Sequence, residues 1–237
     1  MKRKSLHIGF DADDTLWHCE DLFLEAQEKL QSLLPDRSLQ EITDAVYQVE
    51  KQNLEIYGYG VKSFTLSLIE AYLALSQNVK TNEIGQLLEI GKSILESPIR
   101  IIDDVENILK NLSKIYTLLI ITKGELIDQQ RKIRLSKLSQ YFDIIEIVAE
   151  KSADTYSQIL ERHKITPQNF TMIGNSIRSD IQPVLEIGGR AIHIPYKHTW
   201  RHEEECAGWS VEPHVTLKSI RSLPEWLLKT SFNVNQF

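Results

Sequence analysis

The chain has 237 residues, 42% of them hydrophobic and 25% charged, which suits a soluble globular protein with one large domain or a core carrying an insert. Its 27 basic and 33 acidic side chains leave a formal charge of -6, which argues against a nucleic acid polymer or an anionic membrane as the main partner, since both reward a basic surface. Cys19 and Cys206 are the only cysteines and read as ordinary thiols, with no disulfide framework and no CxxC metal site. No run approaches the roughly 18 apolar residues of a membrane span. Residues 1–5 are basic but pass directly into an apolar segment, without the long apolar stretch and cleavage site of a signal peptide. The expected location is cytoplasmic.

Residues 6–10 form a short apolar run that stops at an acidic cluster, as a buried parallel strand does. From about Asp21 to Glu96 the periodicity is helical throughout. Leu22, Leu24, Leu30, Leu33 and Leu34 mark one amphipathic stretch, and Ile42, Val46, Val49 and Leu54 a second. Leu66, Leu68, Ile69, Tyr72 and Leu73 mark a third, and Ile84, Leu87, Leu88, Ile90 and Ile94 a fourth. Pro35-Asp36, Gly58-Tyr59-Gly60 and Asn78 separate them, so four antiparallel helices are expected to bury their stripes against each other. After Pro98 the pattern alternates, with Asp103 and Asp104 read as N-caps of a first helix. Strands are expected over 116–121, 142–148, 170–173 and 191–194, and helices over 126–138, 152–164, 179–187 and near 220–228. This alternation predicts a three-layer α/β fold with a Rossmann-like, mostly parallel sheet. The core would comprise residues 1–16 and 97–237, with 17–96 inserted as an all-helical cap.

Open parallel sheets place their sites beyond the carboxyl ends of the strands. Four predicted strand ends carry polar residues: Asp11-Ala12-Asp13-Asp14-Thr15, Thr122-Lys123-Gly124, Glu150-Lys151, and Gly174-Asn175-Ser176 with Asp180 just beyond. Two carboxylates two residues apart are costly to bring together without a cation or a proton, and Asp180 strengthens the case for a cation. An all-oxygen donor set suits Mg²⁺. The Thr122 hydroxyl and the Lys151 charge suit phosphoryl oxygens. One carboxylate can serve as a nucleophile and the other as acid and base. Taken singly, these residues are a solvated turn, a surface lysine and a helix N-terminal charge; their convergence favours a functional reading.

Residues 8–16 (IGFDADDTL), 119–122 (LIIT), Lys151 and 172–181 (MIGNSIRSDI) together resemble the four motifs of the haloacid dehalogenase (HAD) superfamily. The order and spacing fit over the whole chain, with the helical insert in the position of a C1-type cap. The resemblance implies that Asp11 attacks phosphorus and Asp13 is the general acid and base. It implies that Mg²⁺ is held by the Asp11 carboxylate, the Asp13 carbonyl and Asp180, with Asn175 beside them, and that Thr122 and Lys151 hold the transferring phosphoryl group. Dehalogenases of this superfamily lack an acid at the position of Asp13, so its presence favours phosphate over halide chemistry. Two departures stand out. Asn175 replaces a frequent aspartate, which predicts weaker metal binding, and Lys123 replaces a frequent asparagine, reaching either a second anionic group or solvent. The first motif is similar to that of house-cleaning nucleotidases. The expected partner is therefore a small phosphorylated metabolite, with a nucleoside monophosphate as first candidate. A phosphomutase and a non-catalytic binding protein are the alternatives. Trp17 is expected to pack at the crossing into the cap or to wall the pocket. Residues 193–203 are expected to border the site, since zinc at His198 and His202 would need further ligands.

Overall fold

A computed structural model describes residues 6–198, 200–204 and 215–233. The chain opens with β1 (His7–Phe10) and then forms four helices, α1 (Glu20–Leu33), α2 (Leu39–Tyr57), α3 (Val61–Leu75) and α4 (Thr81–Glu96). It continues with α5 (Val105–Leu112), β2 (Thr117–Lys123), α6 (Leu126–Ser136), β3 (Ile144–Val148), α7 (Ala153–Arg162) and β4 (Phe170–Gly174). The remaining elements are α8 (Gln182–Glu186), β5 (Arg190–His193), α9 (Arg201–Glu204), β6 (Val215–Thr216) and α10 (Leu223–Asn233). The strands form one sheet in the order β3-β2-β1-β4-β5-β6, with every pairing parallel.

The strands read as continuous apolar runs because helices cover both sheet faces. Phe10, Leu118, Ile120 and Ile173 point to one face, where they pack with Ile108 and Leu109 of α5, Ile133 of α6 and Leu223 of α10. Leu119, Ile121 and Met172 point to the other, against Tyr156 and Ile159 of α7 and Val184 of α8. β1 lies between β2 and β4, with Phe10 in register with Ile120 and Ile173. That register aligns the carboxyl ends of the three strands, so the residues following each of them meet above one edge of the sheet.

The helices α1–α4 bury a separate cluster, including Leu30, Ile42, Val46, Phe64, Leu68, Tyr72, Leu87 and Ile94. α2 begins with a capping box in which Ser38 and Glu41 satisfy each other's backbone N–H groups. α3 and α4 approach closely at Gly91, where an added Cβ would lie 2.1 Å from Thr65 Oγ1. Leu66, Leu73 and Leu88 are exposed, contrary to their place in the expected stripes. On α3 the inward stripe runs through Val61, Phe64, Leu68, Ala71 and Tyr72, and positions 66 and 73 fall outside it.

The crossings between sheet and helical unit lie side by side. Trp17 bridges to Asp13 and to Ile101, while His18 N–H donates to the Arg100 carbonyl at 2.9 Å and Ile102 N–H to that of Leu16 at 3.0 Å. Asp104 does not cap α5 as expected: it adopts a left-handed backbone (φ 67°) with no side-chain bond to the helix. Asp103 and Asp104 pair instead with Arg221 ahead of α10. Among the described residues no helix is long and apolar enough to cross a membrane.

Candidate active site

Asp11 follows β1 directly and extends the pairing, its N–H donating to the Ile173 carbonyl at 2.9 Å. Lys151, buried just after β3, places its Nζ 2.5 Å from Asp11 Oδ1 and 2.6 Å from Asp180 Oδ1. Burial pushes the Asp11 carboxyl above the usual range against the pull of Lys151. Burial likewise lifts Asp180 to about 7, with Lys151 opposing the rise and Asp11 adding to it. Burial opposes the charge on Lys151, but the two carboxylates outweigh it and hold the ammonium well above its ordinary range.

Asp180 does not sit in the α-helix expected over 179–187. A π-helical turn, Ile177–Ile181, precedes α8 and swings the side chain back under β4. Ser176 N–H donates to Asp180 Oδ2 at 3.0 Å, and the Ser176 hydroxyl accepts from Ser179 N–H at 3.0 Å. The space this needs comes from Gly174, where a Cβ would lie 2.1 Å from Asp180 Oδ2. Only glycine allows that approach.

The Asn175 amide comes within 3.2 Å of Asp11 Oδ2, Thr15 Oγ1 and the Asp13 carbonyl. With its nitrogen inward it donates to all three. With its oxygen inward, an oxygen-only nest results, and 3.2 Å is close to the roughly 3.0 Å edge of an octahedron whose ligands lie about 2.1 Å from Mg²⁺. Among the described residues no group of three or more His, Cys, Asp or Glu is placed to hold a metal. The donor set here is two carboxylates, a carbonyl and an amide, and it fits a hard cation that keeps several waters.

Asp13 is turned a different way. Trp17 Nε1 donates to its Oδ1 at 2.6 Å and Gln129 Nε2 to its Oδ2 at 2.9 Å, while Lys132 Nζ reaches both oxygens, at 2.8 and 2.6 Å. Burial works to raise the Asp13 carboxyl, but the Lys132 charge and the donors around it prevail and hold it below the usual range. Lys132 and Gln129 carry no signal in the sequence motifs, and Trp17, expected to pack at the crossing or to wall the pocket, also donates to Asp13. The available signal was Asp128, Gln129 and Lys132, three polar residues that α6 buries on one face.

Lys123 does not point to solvent: its Nζ lies 2.8 Å from Glu203 Oε1, 3.1 Å from Ser179 Oγ and 4.2 Å from the Tyr59 ring centre. Thr122 is buried at the end of β2. His202 stacks between Tyr47 and Trp200, and with His198 belongs to no metal-type cluster among the described residues. Cys206 lies outside the described residues, and Cys19 is a free thiol. One cavity between the strand ends and the helical unit is lined by Asp11, Asp13, Thr122, Lys123, Lys151, Asn175 and Asp180. Trp200 and Glu203 of the 193–203 segment line it too.

A parallel α/β core with its polar strand ends gathered at one cavity is the layout in which open sheets place their ligand sites. A family model for haloacid dehalogenase-like hydrolases matches residues 7–188, and the chain belongs to that family. A haloacid dehalogenase-like family hydrolase from Xanthomonas campestris has a similar crystal structure, with 34% identity and a TM-score of 0.83, covering 94% of this chain and 91% of that one. The HAD hydrolase YfnB from Bacillus subtilis, solved bound to magnesium, shares the fold at 16% identity and a TM-score of 0.69, covering 96% of this chain and 100% of that one. Among curated proteins, the N-acylneuraminate-9-phosphatase of Mus musculus is 28% identical over 132 residues, 53% of this chain and 51% of the mouse protein. The chain thus spans about half the length of the curated relatives it matches.

Proposed function

We propose that this hydrolase is a Mg²⁺-dependent phosphomonoesterase of the cytoplasm, acting through an aspartyl-phosphate at Asp11 on a small phosphorylated metabolite, with a nucleoside monophosphate as first candidate. The observation that carries the reading is the division of labour between two carboxylates two residues apart. Asp11 is buried against Lys151 and Asp180, while Asp13 is held by separate donors. The family match and the similarity to a phosphatase over half the chain support it.

In the first step an Asp11 oxygen forms a bond to phosphorus as the ester P–O bond breaks, and Asp13 gives its proton to the leaving oxygen. In the second step Asp13 takes a proton from water, whose oxygen attacks phosphorus and releases phosphate and free Asp11. Asp13 as held by Lys132 is ionised, the form the second step needs; it gains the proton for the first as that contact loosens. Lys151 and Thr122 bind the phosphoryl oxygens and meet the charge that builds on them. Mg²⁺ held by Asp11, the Asp13 carbonyl, Asp180 and Asn175 would supply further charge neutralisation for the phosphoryl dianion. Residues 17–96 act as the cap, excluding water and selecting the leaving group.

The test is phosphate release from p-nitrophenyl phosphate and a phosphometabolite panel, with Mg²⁺ or EDTA, for wild type and Asp11→Asn. Mg²⁺-dependent release that falls by about 10³-fold or more in the variant is expected. Phosphoryl exchange between sugar phosphates without net release would replace this reading by a mutase.

A further inference from the structure

The charges lining the cavity do not balance evenly. Among the described residues around it there are three lysines and no arginine, and each lysine already has carboxylate partners. Lys151 bridges Asp11 and Asp180, Lys132 grips Asp13, and Lys123 is bonded to Glu203 with Glu150 at 3.6 Å. Of the remaining acids, Glu125 pairs with Lys62 and Asp128 with Arg131, both outside the cavity lining. Asp14 accepts the backbone N–H groups of Cys19 and Glu20.

Glu20 and Glu50 are left over, one at the start of α1 and one on α2, both lining the cavity from the helical unit. Glu20 is within reach of the helix N-terminal dipole, as is its neighbour Asp21, but only Asp21 has cations, Lys197 at 2.9 Å and Arg100 at 3.5 Å. Among the described residues no cation or side-chain donor meets the Glu20 carboxylate. Burial, with Asp14 and Glu50 nearby, pushes that carboxyl well above its usual range, as befits an acid group that lacks a partner. Among the described residues Glu50, with its side chain 12% exposed, has His202 Nε2 at 3.8 Å as its one ionisable partner. Beside them the wall is apolar: Phe23 and Phe64 meet edge to face at 4.8 Å between ring centres, with Leu54 and Val61 adjoining.

Asp11 and Lys151 line the same cavity as this wall, so the alcohol portion of a phosphoryl substrate bound there shares the cavity with it. Among the described residues a second anionic group there would find no uncommitted lysine or arginine and two acidic side chains, whereas an amine would find acceptors and a counter-charge. Resting on the phosphomonoesterase reading above, we propose that the alcohol released from the substrate has an apolar body, carries an amine presented to Glu20 and Glu50, and bears no second anionic group.

The probes are matched straight-chain alkyl monophosphates ending in methyl, ammonium or carboxylate, assayed with Mg²⁺ in wild type, Glu20→Gln and Glu50→Gln. We expect kcat/KM in the order ammonium, methyl, carboxylate, with ammonium favoured over carboxylate by about tenfold or more. That ratio should shrink toward one in each glutamine variant, and circular dichroism would establish that the variants fold. The corresponding phosphonates, bound without turnover and measured by titration calorimetry, should show the same preference. Carboxylate favoured over ammonium in wild type, or a ratio untouched in both variants, overturns the proposal. No hydrolysis of any phosphate, p-nitrophenyl phosphate included, alongside amine-selective phosphonate binding would overturn the phosphomonoesterase reading and leave the amine site standing.

Discussion

Asp13 and Asp14 are adjacent in sequence and have opposite environments. Asp13 has a cation within 2.8 Å and two further donors; Asp14 has, among the described residues, backbone N–H donors alone, and burial raises it to about 7. Two predictions follow from that contrast. Lys132→Met removes the cation that positions Asp13, so turnover of alkyl phosphates should fall by about 10- to 100-fold. p-Nitrophenyl phosphate, whose leaving group needs little protonation, should lose less; equal losses in steady-state kinetics would remove Lys132 from this role. For Asp14, the folded pKa lies above the unfolded value near 3.8, so the native state holds the proton more tightly between the two. Its contribution to stability is complete below about 3.8 and is lost as pH rises through about 7, at no more than about 1.4 kcal/mol per unit. Asp14 has a left-handed backbone (φ 61°), which asparagine tolerates, so Asp14→Asn keeps that conformation and an acceptor for Cys19 N–H while abolishing the titration. Denaturation at pH 5 and pH 7 should therefore show wild type losing up to about 2–3 kcal/mol against the variant, and a pH-independent difference would contradict the assignment. The sequence made Asp11, Thr122, Lys151 and Asp180 legible because each stands beside a strand end. Lys132, Glu20 and Glu50 were not legible, because a charged residue on an amphipathic helix looks like solvated surface until its neighbours are known.

At the scale of elements, the strands were found nearly in place because both faces of the sheet are covered and their apolar runs are unbroken. The two-residue β6 is too short to give any periodicity, and the π-turn at Ile177–Ile181 replaces a helical start because Asp180 must reach back beneath Gly174. Among the helices the stripe missed at Leu66 and Leu73 on α3 and at Leu88 on α4, all of them exposed. The close pass between those two depends on Gly91. Gly91→Ala drives a methyl group into Thr65 and should destabilise the fold by about 1–3 kcal/mol in urea denaturation. Adding Thr65→Ala should recover part of that loss, even though it gives up the Thr65 hydroxyl's bond to the Val61 carbonyl. Strictly additive losses would mean that the contact is relieved elsewhere.

Over the whole molecule, three hydrophobic clusters form the interior, and a buried charge cluster at the strand ends is centred on Lys151. It ties the end of β1 to the segment after β3 and to the π-turn after β4. Lys151→Met leaves Asp11 and Asp180 buried without a cation and should cost about 3–5 kcal/mol of stability. Thermal melts should then depend steeply on Mg²⁺, far more than in wild type; a variant as stable as wild type in EDTA would show that the lysine does not neutralise the pair. Placing the site above a parallel sheet was possible from the order of strands alone, whereas the way its charges neutralise one another emerged only from the assembled structure. In wild type the protein carries its own counter-ion. On the proposed Mg²⁺ reading, loading with metal is an exchange of one cation's company for another's, so chelation should return the protein to a stable resting form from which magnesium revives it.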